Sequence, residues 1–570
     1  MTHFSFARLP FLMAAVGLLA VNPVQSQSTL EDIRVLFSTN CAFSSCHDAT
    51  SPAAGMNLTG STTDIYNALV NVTPTNPAAA GKGYKRVDPG FPENSFLLHK
   101  VGRDSWDADY DLGPGEGGEM PTSDDLDSED IELLRQWILY GAPLTTQVVD
   151  PSVLEDFYVA GLGLEGVPPP PAPAAGEGTQ IRLGPFFLAP GQEVEYFYKR
   201  PVSFDGEVEV TRTHVFFNEV SHHFILYRYP SAGAASGYRF GLREILEPGA
   251  APDADVSIVA AWQDAYDIAL PEGTAYFWDD NEILDMNFHL YNASMDSILP
   301  CDVYVNIYTR PRDASQPTVE MFSQIIPIDL LEALSGTGFV GQSLIVPGDG
   351  AEYTFTDDVV FPIPDAPTWH LWYLSSHTHS RGVDYDIYNR ATGEQIFEGF
   401  FDIDYTFNQG FYDWEHPPVR IFEELYPVNM GLLGGLRHTA KYINSTGSTI
   451  TWGDRTTDEM MLFFIQYTEE PLPVASGLDG AVLEPLHQVT LFPNPSRGQA
   501  ELSFQLPEPA DVSVEVYDAL GRLVSTPLQG SMPAGQHSAV LNPGNHPTGM
   551  YTVVLRANGE QAIRKWLLAD

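Results

Sequence analysis

Cysteine, lysine and basic charge are all scarce in this chain of 570 residues. Three cysteines are too few for a disulfide framework. Lysine and arginine together number 28, only six of them lysine, against 75 acidic residues, and the net charge is −47. Phosphate binding needs a basic face, so this charge argues against nucleic acid as a partner. An acidic, lysine-poor surface is instead typical of proteins that stay soluble in a saline medium.

Long apolar runs are also missing, except at the N-terminus. An apolar run over 9–21 follows Arg8, and small residues suited to signal cleavage lie just before Gln27. This pattern predicts a signal peptide over 1–26, with an uncleaved membrane anchor as the alternative. The run is too short for a comfortable transmembrane helix, and no later segment could span a bilayer. We therefore expect an exported protein, extracellular or at the cell surface, with no transmembrane span in the mature chain.

The residue pattern changes several times along the sequence, and the length suits about three to five domains. The first part is typical of helices: Ser28 and Glu31 can form a capping box, and Asp127 or Ser128 can cap a later helix. A proline-rich stretch then predicts an extended spacer. Beyond it, short alternating strands are separated by Gly, Pro, Asp and Asn over a length that favours two sandwiches side by side.

These patterns predict a multidomain fold class, with an N-terminal all-α domain, two all-β sandwiches and a small C-terminal β-sandwich. The expected boundaries are a signal peptide at 1–26, a helical domain at 27–147, a linker at 148–179, sandwiches at 180–328 and 329–470, a second linker at 471–487 and the C-terminal unit at 488–570.

Cys41 and Cys46 are followed at once by His47. Two thiols that can add to the vinyl groups of haem, next to a histidine that can take the iron, fit covalent haem attachment. Four residues separate the cysteines, whereas the usual haem motif has two. On these seven residues alone, a small disulfide loop with a surface histidine remains open.

The segments around this motif resemble, in their order, the cytochrome c-like domains of large secreted bacterial proteins, over essentially all of 28–147. The segments that carry this resemblance are 56–58, 66–70, 86–98, 119–121 and 137–142. The resemblance implies a covalently bound haem c, with His47 as the proximal axial ligand and Met120 as the distal one. A thioether opposite an imidazole raises the potential and suits electron transfer. His99 and Met56 are expected to be packed in the interior.

Histidines form three separated clusters in the middle region, at 221–223, 287–292 and 376–382, and a Thr-Asp-Glu-Met-Met segment follows at 457–461. Imidazole and thioether ligands together suit copper. His377 and His379 lie two residues apart, so on a strand they point to the same face. His222 and His223 are adjacent and could both reach one ion only where the strand ends, twists or bulges. A lone histidine such as His289 is ordinarily a core or surface residue.

In this order, the clusters resemble the copper type II monooxygenases, the family of peptidylglycine hydroxylating monooxygenase and dopamine β-monooxygenase, over about 180–470. The resemblance implies two jelly-roll-type sandwiches and two copper ions. One ion, which stores an electron, is held by His222, His223 and His289. The other, which binds oxygen, is held by His377, His379 and Met460. Met460 is preferred to Met461 because it directly follows Asp458-Glu459, and alternation should send Met461 to the opposite face, into the core. The remaining histidines of this region match no ligand position and are expected to be structural: His214, His370, His416 and His438.

The activity implied is hydroxylation of a substrate C–H bond by dioxygen, with ascorbate or another one-electron reductant. We hypothesise that the tethered haem supplies electrons to the coppers, and a separate redox donor protein is a further expected partner. The substrate is a small molecule or a peptide. The disulfides of the animal enzymes are absent, because Cys301 is the only cysteine beyond the haem pair. Two alternatives stay open: a non-enzymatic copper and haem electron-transfer protein, and an extracellular binding protein that uses no metal.

The C-terminal region carries Phe492-Pro-Asn-Pro495, alternating residues at 514–518 and a basic end at 564–568. With the glycines between them, these segments resemble the C-terminal sorting domain of the type IX secretion system, over about 488–570. The resemblance implies a small immunoglobulin-like β-sandwich and the secretion machinery as a partner. An ordinary immunoglobulin-like adhesive module is the alternative.

Overall fold

The computed structural model describes residues 28–568 apart from short gaps. The gaps are 45, 103–106, 123–124, 218–220, 246–256, 263–264, 314, 316, 364, 401–418, 454–456, 473–488, 493, 495, 507–508, 518–521, 543, 545–548 and 558–559. The predicted signal peptide at 1–26 lies outside the described residues. The chain divides into two compact units, at 1–473 and 474–570. None of the described helices is both long and apolar enough to cross a membrane.

Helices occupy the first part of the larger unit. They are α1 Thr29–Asn40, α2 Thr62–Leu69, α3 Pro77–Gly81, α4 Phe96–Val101, α5 Ser128–Leu139 and α6 Pro151–Tyr158. The Ser28 side chain accepts a hydrogen bond from the Glu31 N–H at the start of α1, which is one half of the predicted capping box, and the Glu31 carboxylate accepts from Arg34 at 2.9 Å. Asp127 occupies the N-cap position of α5, without a side-chain capping bond. α6 lies inside the stretch assigned to a linker, because Asp150 caps it and Pro151 suits its first turn.

These helices pack onto the β region and do not stand apart from it. The Tyr198 hydroxyl donates to the Gly90 carbonyl at 2.9 Å, and Arg200 pairs with Glu93 at 2.8 Å. Gly90 and Gly241 both have positive φ, and a Cβ on Gly90 would lie 2.4 Å from the Gly241 nitrogen. This close approach requires glycine. The predicted N-terminal all-α domain is therefore not evident as a separate domain, because its helices belong to the same compact unit as the strands.

Strands fill the rest of the larger unit, with two short helices, α7 Ala232–Ala235 and α8 Leu330–Ser335. The strands before α8 are β1 Gly178–Leu188, β2 Glu193–Ser203, β3 Val208–Phe216, β4 Ser221–Arg228, β5 Gly241–Glu244, β6 Ser257–Trp262, β7 Ala265–Ala269, β8 Thr274–Trp278, β9 Asn281–Tyr291, β10 Leu299–Pro311 and β11 Val319–Pro327. Those after it are β12 Ile345–Val346, β13 Glu352–Val359, β14 Thr368–His377, β15 Gly382–Asn389, β16 Glu394–Glu398, β17 Val419–Asn429, β18 Leu436–Ile443, β19 Ile450–Thr451 and β20 Leu462–Thr468.

The two predicted sandwiches share one sheet. Its strand order is β1-β10-β3-β8-β11-β20-β14-β17, with β7 paired to β3, so β11 and β20 join the two halves. A five-stranded sheet, β5-β2-β9-β4-β6, belongs to the first half, and a four-stranded sheet, β13-β18-β15-β16, belongs to the second. The strands β12 and β19 form a separate pair.

Alternation along β20 shows how the halves are stacked. Leu462 and Phe464 lie in the first apolar core, whereas Phe463, Ile465 and Tyr467 lie in the second. Successive side chains of a strand point to opposite faces. The two cores therefore lie on opposite faces of the shared sheet at this strand.

The described residues of the smaller unit form seven strands in two sheets, β21-β22-β25 and β24-β23-β26-β27. The strands are β21 Thr490–Phe492, β22 Ala500–Leu506, β23 Ala510–Tyr517, β24 Leu523–Met532, β25 Gly535–Leu541, β26 Gly549–Ala557 and β27 Glu560–Leu568. Val512, Val514 and Val516 alternate into its core, as their spacing predicts. The Trp566 indole is buried and donates to the Ser496 hydroxyl at 2.8 Å. This unit is a small β-sandwich.

Candidate metal centre

His223 and His289 lie directly opposite each other on the neighbouring strands β4 and β9. Their ring centroids are 5.6 Å apart, and both residues are buried. Along β9, apolar residues that enter the first core alternate with the polar Asp285, Asn287 and His289. These polar residues are buried as well, at no more than 9% exposure. A polar stripe that is buried without being part of the apolar core marks this face as a site.

The backbone at His222 and His223 has the irregularity that two adjacent ligands of one ion would need. The ladder between β4 and β9 shifts register between Ser221 and His223, as at a β-bulge. The side chain of His222 lies outside the described part of the structure.

His377 ends β14, and His379 follows in the loop before β15. Both are buried, and their rings are perpendicular with centroids 5.2 Å apart. The His377 ring also lies 6.3 Å from that of His223. His377 is paired in register with Leu462, which faces the first core. The structure thus brings histidines from both predicted ligand sets into one cluster, which we call the histidine cluster: His223, His289, His377 and His379.

Hydrogen bonds from β2 and β9 fix the tautomers of the first two rings. His289 Nε2 lies 2.7 Å from Glu193 Oε1, and His223 Nε2 lies 2.8 Å from Asn287 Oδ1. The Asn287 amide nitrogen donates in turn to Glu195 at 2.9 Å, so its oxygen faces His223. With the proton on Nε2, the lone pair of each neutral ring is on Nδ1. Glu195 supports His223 through Asn287 and also directly, with its Oε1 3.5 Å from His223 Nε2, as outer groups do at metal sites.

The 458–460 segment fixes the tautomer of His379. His379 Nδ1 lies 3.1 Å from the Asp458 carbonyl oxygen, so the ring donates there and carries its lone pair on Nε2. Glu459 is fully buried. One of its carboxylate oxygens accepts from the backbone N–H of His379 at 3.0 Å and of Met460 at 3.3 Å, and the other from that of Arg381 at 2.7 Å. This one carboxylate ties the His379 loop to the Met460 segment.

Met460 and Met461 separate as the sequence predicts. Met461 is fully buried in the second core, whereas Met460 is partly exposed and packs against the first. The Tyr442 hydroxyl donates to the Met460 carbonyl at 2.7 Å and holds this backbone. Met460 therefore lies on the side of the first core, opposite to Met461.

Burial favours neutral imidazoles at His377 and His379, whereas contacts with His223 and His289 favour ionised carboxylates at Glu195 and Glu193. Burial, reinforced by the neighbouring imidazoles, lowers the pKa of His377 well below its usual value, and burial lowers that of His379. Burial raises the pKa of Glu195, but hydrogen bonds and charge from His223 outweigh it, and the net pKa is lowered. A hydrogen bond from His289 lowers the pKa of Glu193. Neutral imidazole is the form that binds metal, so the donor set suits a cation such as copper.

A cavity of about 700 Å³ lies in the helical region, lined mainly by apolar side chains. The four residues predicted to hold haem all line it: Cys41, Cys46, His47 and Met120. Neither cysteine is disulfide-bonded, and burial raises the pKa of the Cys41 thiol to about 12, which leaves it protonated. We call this space the haem-type cavity.

His47 is buried, and its Nδ1 lies 3.1 Å from the Met56 carbonyl oxygen. The ring therefore donates from Nδ1 and carries its lone pair on Nε2, the arrangement that an axial ligand needs. Met56 also lines the cavity, besides packing on the helical core. His99 is buried, stacks on Tyr84 and contacts the Glu93 carbonyl at 2.9 Å, as expected for a packed residue.

The remaining histidines of the 180–470 region lie away from the cluster or outside the described residues. His438 is buried and contacts the Tyr385 hydroxyl at 2.7 Å. His214 packs on Phe216, and His370 lies on β14. His416 falls outside the described residues. Cys301 is fully buried, and burial raises the pKa of its thiol, so it is an inert core residue.

A second set of potential metal ligands is the carboxylate group of Asp384, Asp386 and Glu398 on β15 and β16. Asp384 pairs with Lys441, and Asp386 accepts from Gln395 at 2.7 Å. Burial, reinforced by the neighbouring carboxylates, raises the pKa of Asp386 to about 6. These contacts account for the group as part of the strand pairing.

Residues 490–569 match the family model of the secretion system C-terminal sorting domain. The smaller unit is therefore a type IX secretion sorting domain, which implies interaction with the secretion machinery. The protein is exported, to the cell surface or the extracellular space. No curated protein matches the chain.

Two solved structures show a partial likeness. A beta-glucuronidase from Faecalibacterium prausnitzii is 11% identical with a TM-score of 0.14, and the match covers 38% of this chain and 37% of that one. The apo structure of Bacteroides uniformis beta-glucuronidase 3 is 9% identical with a TM-score of 0.12, and the match covers 38% of this chain and 26% of that one. Scores this low support no conclusion about fold or activity.

Sequence reasoning alone did not identify four supporting residues, Glu193, Glu195, Asn287 and Glu459, as part of the site. A signal for three of them exists in the alternation. Glu193 and Glu195 share one face of β2, and Glu195 lies opposite His289 in the ladder. Asn287 shares a face with His289 on β9.

Proposed function

We propose that this exported protein is a copper-dependent monooxygenase that hydroxylates a substrate C–H bond with dioxygen. One observation carries the proposal: histidines from three separate stretches of sequence converge in one buried cluster. Asn287, Glu193 and the Asp458 carbonyl each engage one nitrogen of a ring in this cluster and so fix how three of the rings are oriented. Copper bound there would supply the one-electron chemistry that activates dioxygen toward a C–H bond.

The chain's own residues have distinct roles in this proposal. The histidine cluster, with His222 and Met460, binds copper. Glu193, Asn287 and the Asp458 carbonyl set which ring nitrogen faces the metal, and Glu459 holds His379 and Met460 in place. Burial of the rings excludes water from the site. The substrate is a small molecule or a peptide that approaches from the exposed side of Met460.

The helical region is proposed to carry one haem c in the haem-type cavity. Cys41 and Cys46 would form the thioether links, and His47 and Met120 would be the axial ligands. The cavity is large and apolar, and His47 is oriented by the Met56 carbonyl, both of which support this assignment. We propose that this haem passes electrons to copper and is itself reduced by ascorbate, another one-electron reductant or a redox donor protein.

The direct test is made on the full mature chain, produced in a host that attaches haem. Metal analysis and optical spectra should give two coppers and one haem per chain. With a reductant and a panel of small-molecule and peptide substrates, label from ¹⁸O₂ should enter the product. His377→Gln should lose both copper and product, whereas His370→Gln, on the same strand, should keep both.

The alternatives give different outcomes. Stoichiometric copper and haem with no oxygen-dependent product would favour an electron-transfer or copper-holding protein. Haem without copper would contradict the monooxygenase. Rapid mixing of reduced protein with oxygen tests the electron route: haem oxidation that does not depend on copper would overturn it.

A further inference from the structure

The distances between neighbouring rings of the histidine cluster are those of imidazoles that share a metal. With metal–nitrogen bonds of about 2.0–2.1 Å, two imidazoles on one ion have centroids about 5 Å apart at a tetrahedral angle and about 6.4 Å apart at a linear one. The pair His289–His223 measures 5.6 Å, His223–His377 measures 6.3 Å and His377–His379 measures 5.2 Å. The middle pair, which links the two predicted ligand sets, also falls within this range, near its linear limit.

The middle pair also joins different parts of the fold. His223 is on β4 of the five-stranded sheet, and His377 ends β14 of the shared sheet, in its second half. Among the described strands, the shared sheet passes from one half to the other through β11 and β20. An ion held by His223 and His377 would therefore connect the five-stranded sheet to the second half of the molecule.

The supporting groups also come from both sides. Glu193 and Asn287 orient rings of the five-stranded sheet, whereas Asp458 orients His379. Groups from both halves of the β region therefore position the rings of the cluster.

We propose that the two copper sites are one joint centre, in which His223 and His377 are ligands of the same ion and bound copper ties the five-stranded sheet to the second half of the β region. This inference rests on the proposed function, because it takes the histidine cluster to bind copper. It adds to that function the prediction that copper cannot bind to one ligand set independently of the other.

The test is a titration of the copper-free full chain with Cu²⁺, followed by metal analysis, thermal unfolding and electron paramagnetic resonance. In the wild type, copper should raise the unfolding temperature, and two bound Cu²⁺ ions should show spin–spin coupling. His223→Gln should weaken all copper binding by at least tenfold and abolish the thermal shift, although it removes a ligand from only one predicted set. His379→Gln changes a loop residue of the other predicted ligand set, and it should likewise weaken all copper binding by at least tenfold and abolish the thermal shift. His370→Gln is the matched control and should behave as the wild type.

Each outcome has a distinct meaning. A His223→Gln protein that keeps one copper at wild-type affinity, with two uncoupled signals in the wild type, would overturn the joint centre and leave the proposed function intact. Wild-type protein that binds no copper would overturn both. The unfolding temperature of each copper-free variant shows whether it is folded. If His223→Gln does not fold, the copper affinity of His379→Gln tests the joint centre in its place.

Discussion

The haem motif at the haem-type cavity and the histidine cluster differ in how far apart their residues lie along the chain. Cys41, Cys46 and His47 lie within one turn region, and the carbonyl that orients His47 belongs to Met56, nine residues away. The histidine cluster instead joins strands from two sheets, and Asp458 orients His379 from 79 residues away. Three of the four residues predicted to hold haem can therefore be recognised in one motif, with Met120 added from further along the chain, whereas the histidine cluster depends entirely on the sheets that carry it.

The largest expected effects separate Met460 from Met461, which are neighbours in sequence. Met461→Ala should lower the free energy of unfolding by about 2–5 kcal/mol, because it leaves a cavity in the second core, and should spare Cu(I) affinity. Met460→Ala should have the reverse pattern, with little loss of stability and a fall in Cu(I) affinity of about tenfold or more. Chemical denaturation and competition with a Cu(I) chelator measure the two quantities. Equal effects on Cu(I) affinity would contradict the assignment of Met460.

The equivalent pair in the haem-type cavity is Met120 and Met56. Met120→Ala should lower the haem reduction potential by something on the order of 100 mV, because a thioether ligand favours ferrous iron. Met56→Ala should leave the potential near that of the wild type, since its carbonyl still orients His47. Optical redox titration decides between them, and a shift confined to Met56→Ala would reverse their roles.

Glu459 tests whether the histidine cluster depends on long-range support. Glu459→Gln places an amide N–H where the carboxylate accepts backbone N–H groups, so copper affinity should fall by about 10–100-fold. Asp458→Asn keeps the backbone carbonyl that orients His379 and should bind copper normally. Haem spectra should be unchanged in both variants. Unaltered copper affinity in Glu459→Gln would show that the cluster needs no such support.

The smallest effect is a pH dependence of stability in the copper-free protein. The folded-state pKa of His377 is lowered, so between that value and about 6.5 the unfolded chain binds a proton that the folded chain does not. The free energy of unfolding should therefore fall as pH falls below about 6.5, by at most about 1.4 kcal/mol per pH unit for this histidine. Denaturation curves at several pH values should show a shallower slope for His377→Gln. An unchanged slope would contradict a buried neutral His377.

Local patterns predicted much of what the structure contains. Capping at Ser28, the packing of His99, the core position of Met461 and the alternating valines of the small unit all follow from short-range periodicity or hydrogen bonding. These features depend on a few neighbouring residues, so a single sequence is enough to find them.

The strand pairing that joins the two sandwiches could not be predicted from local patterns. β11 and β20 lie at the ends of the two predicted domains, and nothing in either strand specifies its partner. The 6.3 Å approach of His223 to His377 follows from that sheet arrangement, as does the role of Glu193 and Glu195. Spacing could group His377 with His379, but it could not place them beside His223 and His289.

The most direct measurement is anomalous diffraction at the copper absorption edge from crystals of the full chain grown with copper. The account predicts strong anomalous peaks among His223, His289, His377 and His379, with one peak in contact with both His223 and His377. Copper peaks elsewhere, or none at these four rings, would contradict the proposed metal centre.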